Sequence, residues 1–329
     1  MSIPLSASPT VIVVAPQGFL ASARRQVADL LGSLIVQEKP APRTAPDLGA
    51  AAWTLASNNA VTVARTRLRD WVVADGPAQT TDTEAADRET ADSGTADTEC
   101  AWAAWTSEQM AAWNEPAGAI VTDVDSTLIE QEVIEMLAAH IGLEEQVAAV
   151  TERAMRGELD FEQSLRERVA VLKGLDAQTI ENVSKKTTPT AGAQLLIETA
   201  HARGWKTYAV SGGFQQILDP LAARLNLDGA VANHLEVNDA ELTGRVTGPI
   251  IDRQAKAKHR AQWTSNNQLP SLGLGDGAND IDLLTTATGG LGLQPKPALK
   301  AVADGTLSLR RLDAVAALLG WDVATEQQH

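Results

Sequence analysis

Two carboxylates, Asp123 and Asp125, end the apolar run Ala117-Gly118-Ala119-Ile120-Val121-Thr122. Along an extended segment residues i and i+2 point to the same side, so both acids can face one reaction centre. One carboxylate there suits a nucleophile and the other a proton carrier. The same residues also suit a plain strand-end turn in which Asp and Ser cap the helix that follows, so the pair does not decide the chemistry by itself.

Two further polar segments end apolar runs. Ser211-Gly212-Gly213 follows Trp205 to Val210 and precedes a helix-like stretch. Glycine lets a backbone approach a phosphate closely, and a helix start offers free N–H groups. Gly275-Asp276-Gly277-Ala278-Asn279-Asp280 follows Ser271-Leu-Gly-Leu. Its hard oxygen ligands, beside those of Asp123, are what Mg²⁺ needs when it binds through a few carboxylates, substrate oxygens and water. Lys256 and Lys258, ahead of that run, are both candidates for the positive charge such a site requires.

Phosphate-monoester hydrolysis fits this set. It is among the slowest uncatalysed reactions, with enzymic enhancements reaching about 10²¹. It calls for a nucleophile in line with the leaving oxygen, a proton donor for that oxygen, and cations or N–H groups around the equatorial oxygens. The sequence offers a candidate for each need in separate segments.

The elements that must position these residues alternate. Strand-like runs at Ala117–Thr122, Trp205–Val210, Gly229–Ala232, Ser271–Gly275 and Gly290–Leu293 are separated by helix-periodic stretches near 193–202, 214–225, 252–263, 280–286, 296–303 and 313–319. A hairpin is expected across Leu235 to Val246, turning at Asn238-Asp239. This order predicts an α/β fold, a doubly wound and mainly parallel sheet with helices on both faces. Ligands of such sheets bind at the carboxyl ends of the strands. Residues 130–188 are almost wholly helical in pattern and read as an insertion. Ahead of this domain, 1–75 form a small α/β unit with strands near Thr10–Val14 and Ala52–Leu55, helices over Leu20–Leu34 and Val61–Val73, and no chemical motif. Residues 76–100 hold seven acids and one Arg with few large apolar residues, the composition of a disordered linker. Trp102, Trp105 and Trp113 recur near helical spacing as the domain at 101–329 begins, and are expected to pack in its core.

Composition excludes some classes. The chain has 329 residues, 44% hydrophobic, and a formal charge of −15. That charge argues against a nucleic-acid partner. No apolar run is long enough to span a bilayer and no secretory leader stands at the N-terminus, so a cytoplasmic location is expected. The single cysteine, Cys100, lies in a polar stretch without a partner or a neighbouring base.

From about Ala117 to Leu319 the chain resembles the haloacid dehalogenase superfamily, and within it the phosphoserine phosphatases. The resemblance rests on Asp123-Val-Asp125-Ser-Thr, Val210-Ser211-Gly212-Gly213-Phe214, the Lys256 helix and Gly275-Asp276-Gly277-Ala278-Asn279-Asp280. It implies that Asp123 attacks phosphorus to form an aspartyl phosphate. Asp125 would protonate the leaving serine oxygen and then deprotonate water. Mg²⁺ would be held by Asp123, the carbonyl of Asp125 and Asp276, with Asp280 supporting the shell. Ser211, Gly212 and Lys256 would hold the phosphoryl oxygens, with Asn279 beside them, and Lys256 is preferred to Lys258 on the family position alone.

The helical insertion resembles the small cap of that family. The resemblance implies that Glu132 meets the substrate ammonium, that Arg168 takes its carboxylate, and that Met155 and Phe161 supply apolar contacts. The function so implied is Mg²⁺-dependent hydrolysis of O-phosphoserine, the last step of serine biosynthesis. A rival is a related phosphatase or phosphotransferase acting on another small phosphomonoester, and a second rival a metabolite sensor that only binds. Some relatives carry ligand-binding ACT domains of β-α-β-β-α-β order at the N-terminus, and residues 1–75 are weakly ACT-like, with fewer convincing strands over Thr10 to Asp75 than that order needs. The resemblance makes a homodimer plausible.

Overall fold

The computed structural model describes residues 8–69, 71, 100–155 and 158–323, apart from the side chain of Met155. The expected linker lies, from 76 to 99, outside the described residues.

The N-terminal part contributes β1 (Thr10–Pro16), a helix over Leu20–Leu31, β2 (Ile35–Lys39), β3 (Leu48–Leu55), a helix over Asn58–Leu68 and β4 (Ala101–Trp105). This is a β-α-β-β-α-β order. Its fourth strand is carried by Trp102 and Trp105, for which the sequence predicts helical spacing. All five residues of β4 are buried between two antiparallel neighbours, β1 and β11, and burial on both faces favours an extended run of Ala and Trp over a helix. Cys100 is buried just ahead of β4 and not in a solvated stretch. Burial pushes its thiol up to about 12.

The larger part supplies β5 (Ala119–Thr122), β6 (Lys206–Phe214), β7 (Gly229–Asn238), β8 (Glu241–Thr247), β9 (Ser271–Gly275), β10 (Gly289–Leu293) and β11 (Gly305–Leu307). All join one 11-stranded sheet in the order β2-β3-β1-β4-β11-β10-β9-β5-β6-β7-β8. The run from β11 to β7 is parallel, and β8 returns antiparallel to β7 as the expected hairpin. The fold is α/β, with a mixed sheet whose parallel centre holds the three strand ends singled out above. β5 lies between β9 and β6, so those ends are neighbours.

Four buried tryptophans stitch the two parts together. Trp105, Trp113, Trp205 and Trp321 follow one another with ring centroids 5.1, 5.9 and 5.0 Å apart. The indole N–H of Trp105 donates to the carbonyl of Leu318, and that of Trp321 donates to Trp113 at 2.8 Å. Such rings add edge-to-face attraction to the area they bury, and each buried N–H so paired avoids the cost of an orphan donor.

Between β5 and β6 the chain forms the helical insertion, with helices over Val133–His140, Glu144–Met155, Phe161–Val171 and Ala177–Lys186. The third has a capping box: Asp160 accepts from the Gln163 N–H at 2.8 Å, and the Gln163 side chain accepts from the Asp160 N–H at 3.1 Å. That fixes the start of the helix carrying Arg168. No helix among the described residues is long and apolar enough to cross a membrane.

Candidate active site

Asp123 is the first residue past β5, and its N–H donates to the Leu274 carbonyl of β9 at 2.9 Å. The chain then leaves the strand, so turn geometry and not strand alternation sets Asp125 beside Asp123. Ser126 takes φ +54° in this turn, a left-handed conformation that costs a non-glycine residue energy and is retained where surrounding bonds enforce it. Here its N–H donates to Gln131 and its hydroxyl to Glu132 Oε1 at 2.9 Å. Asp125 is held from two sides, Oδ1 accepting from the Val133 N–H at 2.9 Å and Oδ2 from the Ser211 hydroxyl at 3.2 Å.

A cavity of about 140 Å³ opens at these strand ends. Asp123, Asp125, Glu132, Phe161, Arg168, Gly212, Asp276 and Asn279 all line it. Ser211, Lys256 and Asp280 lie behind that lining. Met155 belongs to the cap helix 144–155, but its side chain lies outside the described residues. Ile134 and Leu165 of the cap complete an apolar wall with Phe161. A methyl group on Gly212 would sit 2.9 Å from the Phe161 ring, so the cap packs directly on the Ser211–Gly213 segment and glycine is required there.

Lys256 is wholly buried beneath the cavity. Asp252 caps its helix by accepting the Ala255 N–H at 2.8 Å, which sets the lysine in the first turn. Its ammonium lies 2.7 Å from Oδ1 of Asp123 and 2.7 Å from Oδ1 of Asp280. Lys258, the alternative, has no place in this cluster. Burial works against the Lys256 charge, but the two carboxylates outweigh it and hold the ammonium well above the usual lysine range. Asp280 also accepts the N–H groups of Asp276 and Gly277, both at 3.2 Å. A methyl on Gly275 would collide with the Asp280 carboxyl at 2.4 Å, so the glycine makes room for that acid.

Burial raises the carboxyls of both Asp123 and Asp125. For Asp123 the Asp280 charge adds to this and Lys256 opposes it. For Asp125 the bonds from Val133 and Ser211 oppose it. Glu132 is pushed up to about 7, first by burial and then by the charge of Asp125. Arg168 is lowered by burial, while the charges of Glu132 and Asp125 counter the drop.

Asp123, Asp276 and Asp280 form a buried group whose carboxylate oxygens lie within 4.8 Å of one another. Such a set of hard oxygens fits a divalent cation. Burial raises the Asp123 carboxyl and the neighbouring Asp280 charge adds to it, a repulsion between acids that a cation would relieve. Asp125 contributes no side-chain oxygen to that group.

Sequence reading missed Lys296. It lines the cavity, with its ammonium 2.9 Å from Asp276 Oδ2 and its N–H donating to the Asp276 carbonyl at 2.8 Å. The signal was available, because Lys296 follows β10, one more parallel strand ending on the same edge of the sheet.

Residues 120–285 match the family of haloacid dehalogenase-like hydrolases. The chain is 51% identical over 204 residues to a phosphoserine phosphatase of Mycobacterium tuberculosis, an overlap of 61% of this chain and 50% of that relative. It is 44% identical over 198 residues to the phosphoserine phosphatase of Lactococcus lactis, an overlap of 59% of this chain and 92% of that relative. The crystal structure of a probable phosphoserine phosphatase from Vibrio cholerae superposes with a TM-score of 0.68 at 27% identity, covering 96% of this chain and 88% of that one. The chain spans half the length of its Mycobacterium tuberculosis relative. With the matched segment containing Asp123, Ser211 and Asp276 on or just past three adjacent strands and Lys256 on the helix ahead of β9, the chain belongs to the haloacid dehalogenase-like hydrolase family.

Proposed function

We propose that this protein is a Mg²⁺-dependent phosphatase that hydrolyses O-phosphoserine to serine and phosphate, closing serine biosynthesis. The observation that carries the reading is one cavity lined by the Asp123–Asp125 pair together with Glu132 and Arg168, groups of opposite charge suited to the ammonium and carboxylate of an amino acid. The phosphoserine phosphatases among its relatives support the same substrate.

In this mechanism Asp123 attacks phosphorus and forms an aspartyl phosphate. Both Lys256 and the Val124 N–H engage its Oδ1, which leaves Oδ2 without a hydrogen-bond partner among the described residues. Asp125, its carboxyl raised by burial, carries the proton to the departing serine oxygen and then takes one from the hydrolytic water. The Val133 N–H and Ser211 hydroxyl orient it for both steps. Asp123, Asp276 and the Asp125 carbonyl would hold the Mg²⁺, with Asp280 supporting them. The ion, when bound, offsets negative charge on the phosphoryl oxygens. Phe161, Leu165 and Ile134 exclude water from the covalent stage, and Gly212, Ser211, Lys256 and Asn279 serve the phosphoryl group.

The N-terminal part contributes no side chain to the cavity among the described residues, and we assign it regulation or assembly. Phosphate release from a panel of phosphomonoesters, with and without Mg²⁺, tests the proposal. Phosphoserine should be preferred by roughly 10⁴ over phosphates lacking its amino and carboxylate groups, since those leave buried charges unpaired. Equal rates across the panel would remove the substrate claim and leave a phosphatase of another small phosphomonoester.

A further inference from the structure

We infer that Asn233 of β7 is a positioning residue that ties the phosphate-facing segment Ser211–Gly213 to the helix bearing Lys256, an inference that rests on the reading of this cavity as a phosphatase site. The register between β6 and β7 shows why such a tie is needed. Val210 pairs with Val231 and Phe214 with Asn233, so three residues of β6 stand where β7 has one. Ser211, Gly212 and Gly213 therefore bulge out of the ladder toward the cavity, and a bulge leaves backbone groups that the neighbouring strand no longer satisfies.

Asn233 satisfies one of them with its side chain. Its Nδ2 donates to the Gly212 carbonyl at 2.9 Å, and its Oδ1 accepts the Ile251 N–H at 2.8 Å. Only one orientation of the amide meets both partners. Ile251 immediately precedes Asp252, the cap of the Lys256 helix, and the Lys256 N–H donates to the Asp252 carbonyl at 2.9 Å. One wholly buried amide thus links the backbone facing the phosphoryl group to the element that aims the cation at Asp123. No other side-chain hydrogen bond links the two ends among the described residues. Misplacing a catalytic group by about 1 Å costs on the order of 10² in rate, so the position of this bulge relative to Lys256 is where such a loss would arise.

The test uses the full chain with Asn233→Asp and Asn233→Ser. The first keeps size and the acceptor for Ile251 but presents a second acceptor to the Gly212 carbonyl. The second removes both bonds and adds no charge. Three quantities are measured: thermal midpoint, kcat/KM for phosphoserine and for a simple aryl phosphate, and orthophosphate affinity by calorimetry with Mg²⁺. Both variants should fold, lose about 10²-fold in kcat/KM on the two substrates alike, and bind orthophosphate at least about tenfold more weakly, because both readouts depend on the phosphoryl group. The ratio between the two substrates should stay at the wild-type value, since Glu132 and Arg168 are untouched. Folded variants with wild-type kcat/KM and wild-type orthophosphate affinity would overturn the inference, as would failure of both variants to fold, which would make the bond structural alone. A wild-type enzyme with no preference for phosphoserine would instead refute the substrate reading, while orthophosphate binding would still report on Asn233.

Discussion

Lys256 and Asp123 meet at 2.7 Å beneath the cavity, with Asp280 on the other side of the ammonium. The lysine is wholly buried, so it cannot turn to water if either acid is removed. Removing one partner of a buried pair costs about 3–5 kcal/mol, because the remaining charge stays desolvated. Lys256→Met should therefore lower the denaturation midpoint in urea as well as reduce kcat by roughly 10² or more. Lys256→Arg should not preserve activity, since a planar guanidinium does not reproduce a point charge held at 2.7 Å from both Asp123 and Asp280. A methionine variant as stable and as active as the wild type would remove the lysine from the machinery.

Arg168 lines the cavity from the cap, within reach of the charges of Glu132 and Asp125. Arg168→Ala should reduce kcat/KM for phosphoserine by about 10²-fold or more while leaving turnover of a simple aryl phosphate within a few-fold. A uniform loss on both substrates would mean that the arginine holds the cap together and not the substrate carboxylate.

Glu132 gives the site a pH signature. Burial raises its carboxyl to about 7, so it is charged above that pH and neutral below it. If Glu132 pairs with the substrate ammonium as proposed, it does so in its charged form, and the KM for phosphoserine should rise as pH falls through about 7. The KM of an aryl phosphate without an amine should not follow, which separates this titration from that of the phosphate itself. A pH profile shared by both substrates would contradict the assignment.

How far the sequence could be read depended on what each segment's environment demands. β5 and β9 are buried on both faces and appear as short apolar runs, so their ends were legible as places for Asp123 and Asp276. β4 was not, because Trp102 and Trp105 stand three apart, a spacing that a helix also produces, and the neighbours that make it a strand lie far away in sequence. β2 is a half-exposed edge strand and β11 only three residues long, too little pattern for either to declare itself. Asp123 and Asp125 were legible as a pair, but the left-handed turn at Ser126 that orients the second acid was not. Lys296 could have been found as a residue following one more parallel strand, whereas Asn233 stands alone in sequence and only the strand order brings it to the site.

The buried acids Asp123, Asp276 and Asp280 predict a thermal response to metal. Mg²⁺ at 100 times its dissociation constant should stabilise the fold by about 2.7 kcal/mol. Asp276→Asn should abolish most of that gain, and chelation should abolish turnover. Full activity in chelator would contradict the metal assignment.

The central claim is that Asp123 becomes phosphorylated, and rapid acid quench during turnover of phosphoserine labelled in its phosphoryl group tests it most directly. The account predicts label on the peptide containing Asp123 in the wild type, and neither label nor turnover in Asp123→Asn. Turnover by Asp123→Asn at the wild-type rate, or label on a different residue, would contradict it.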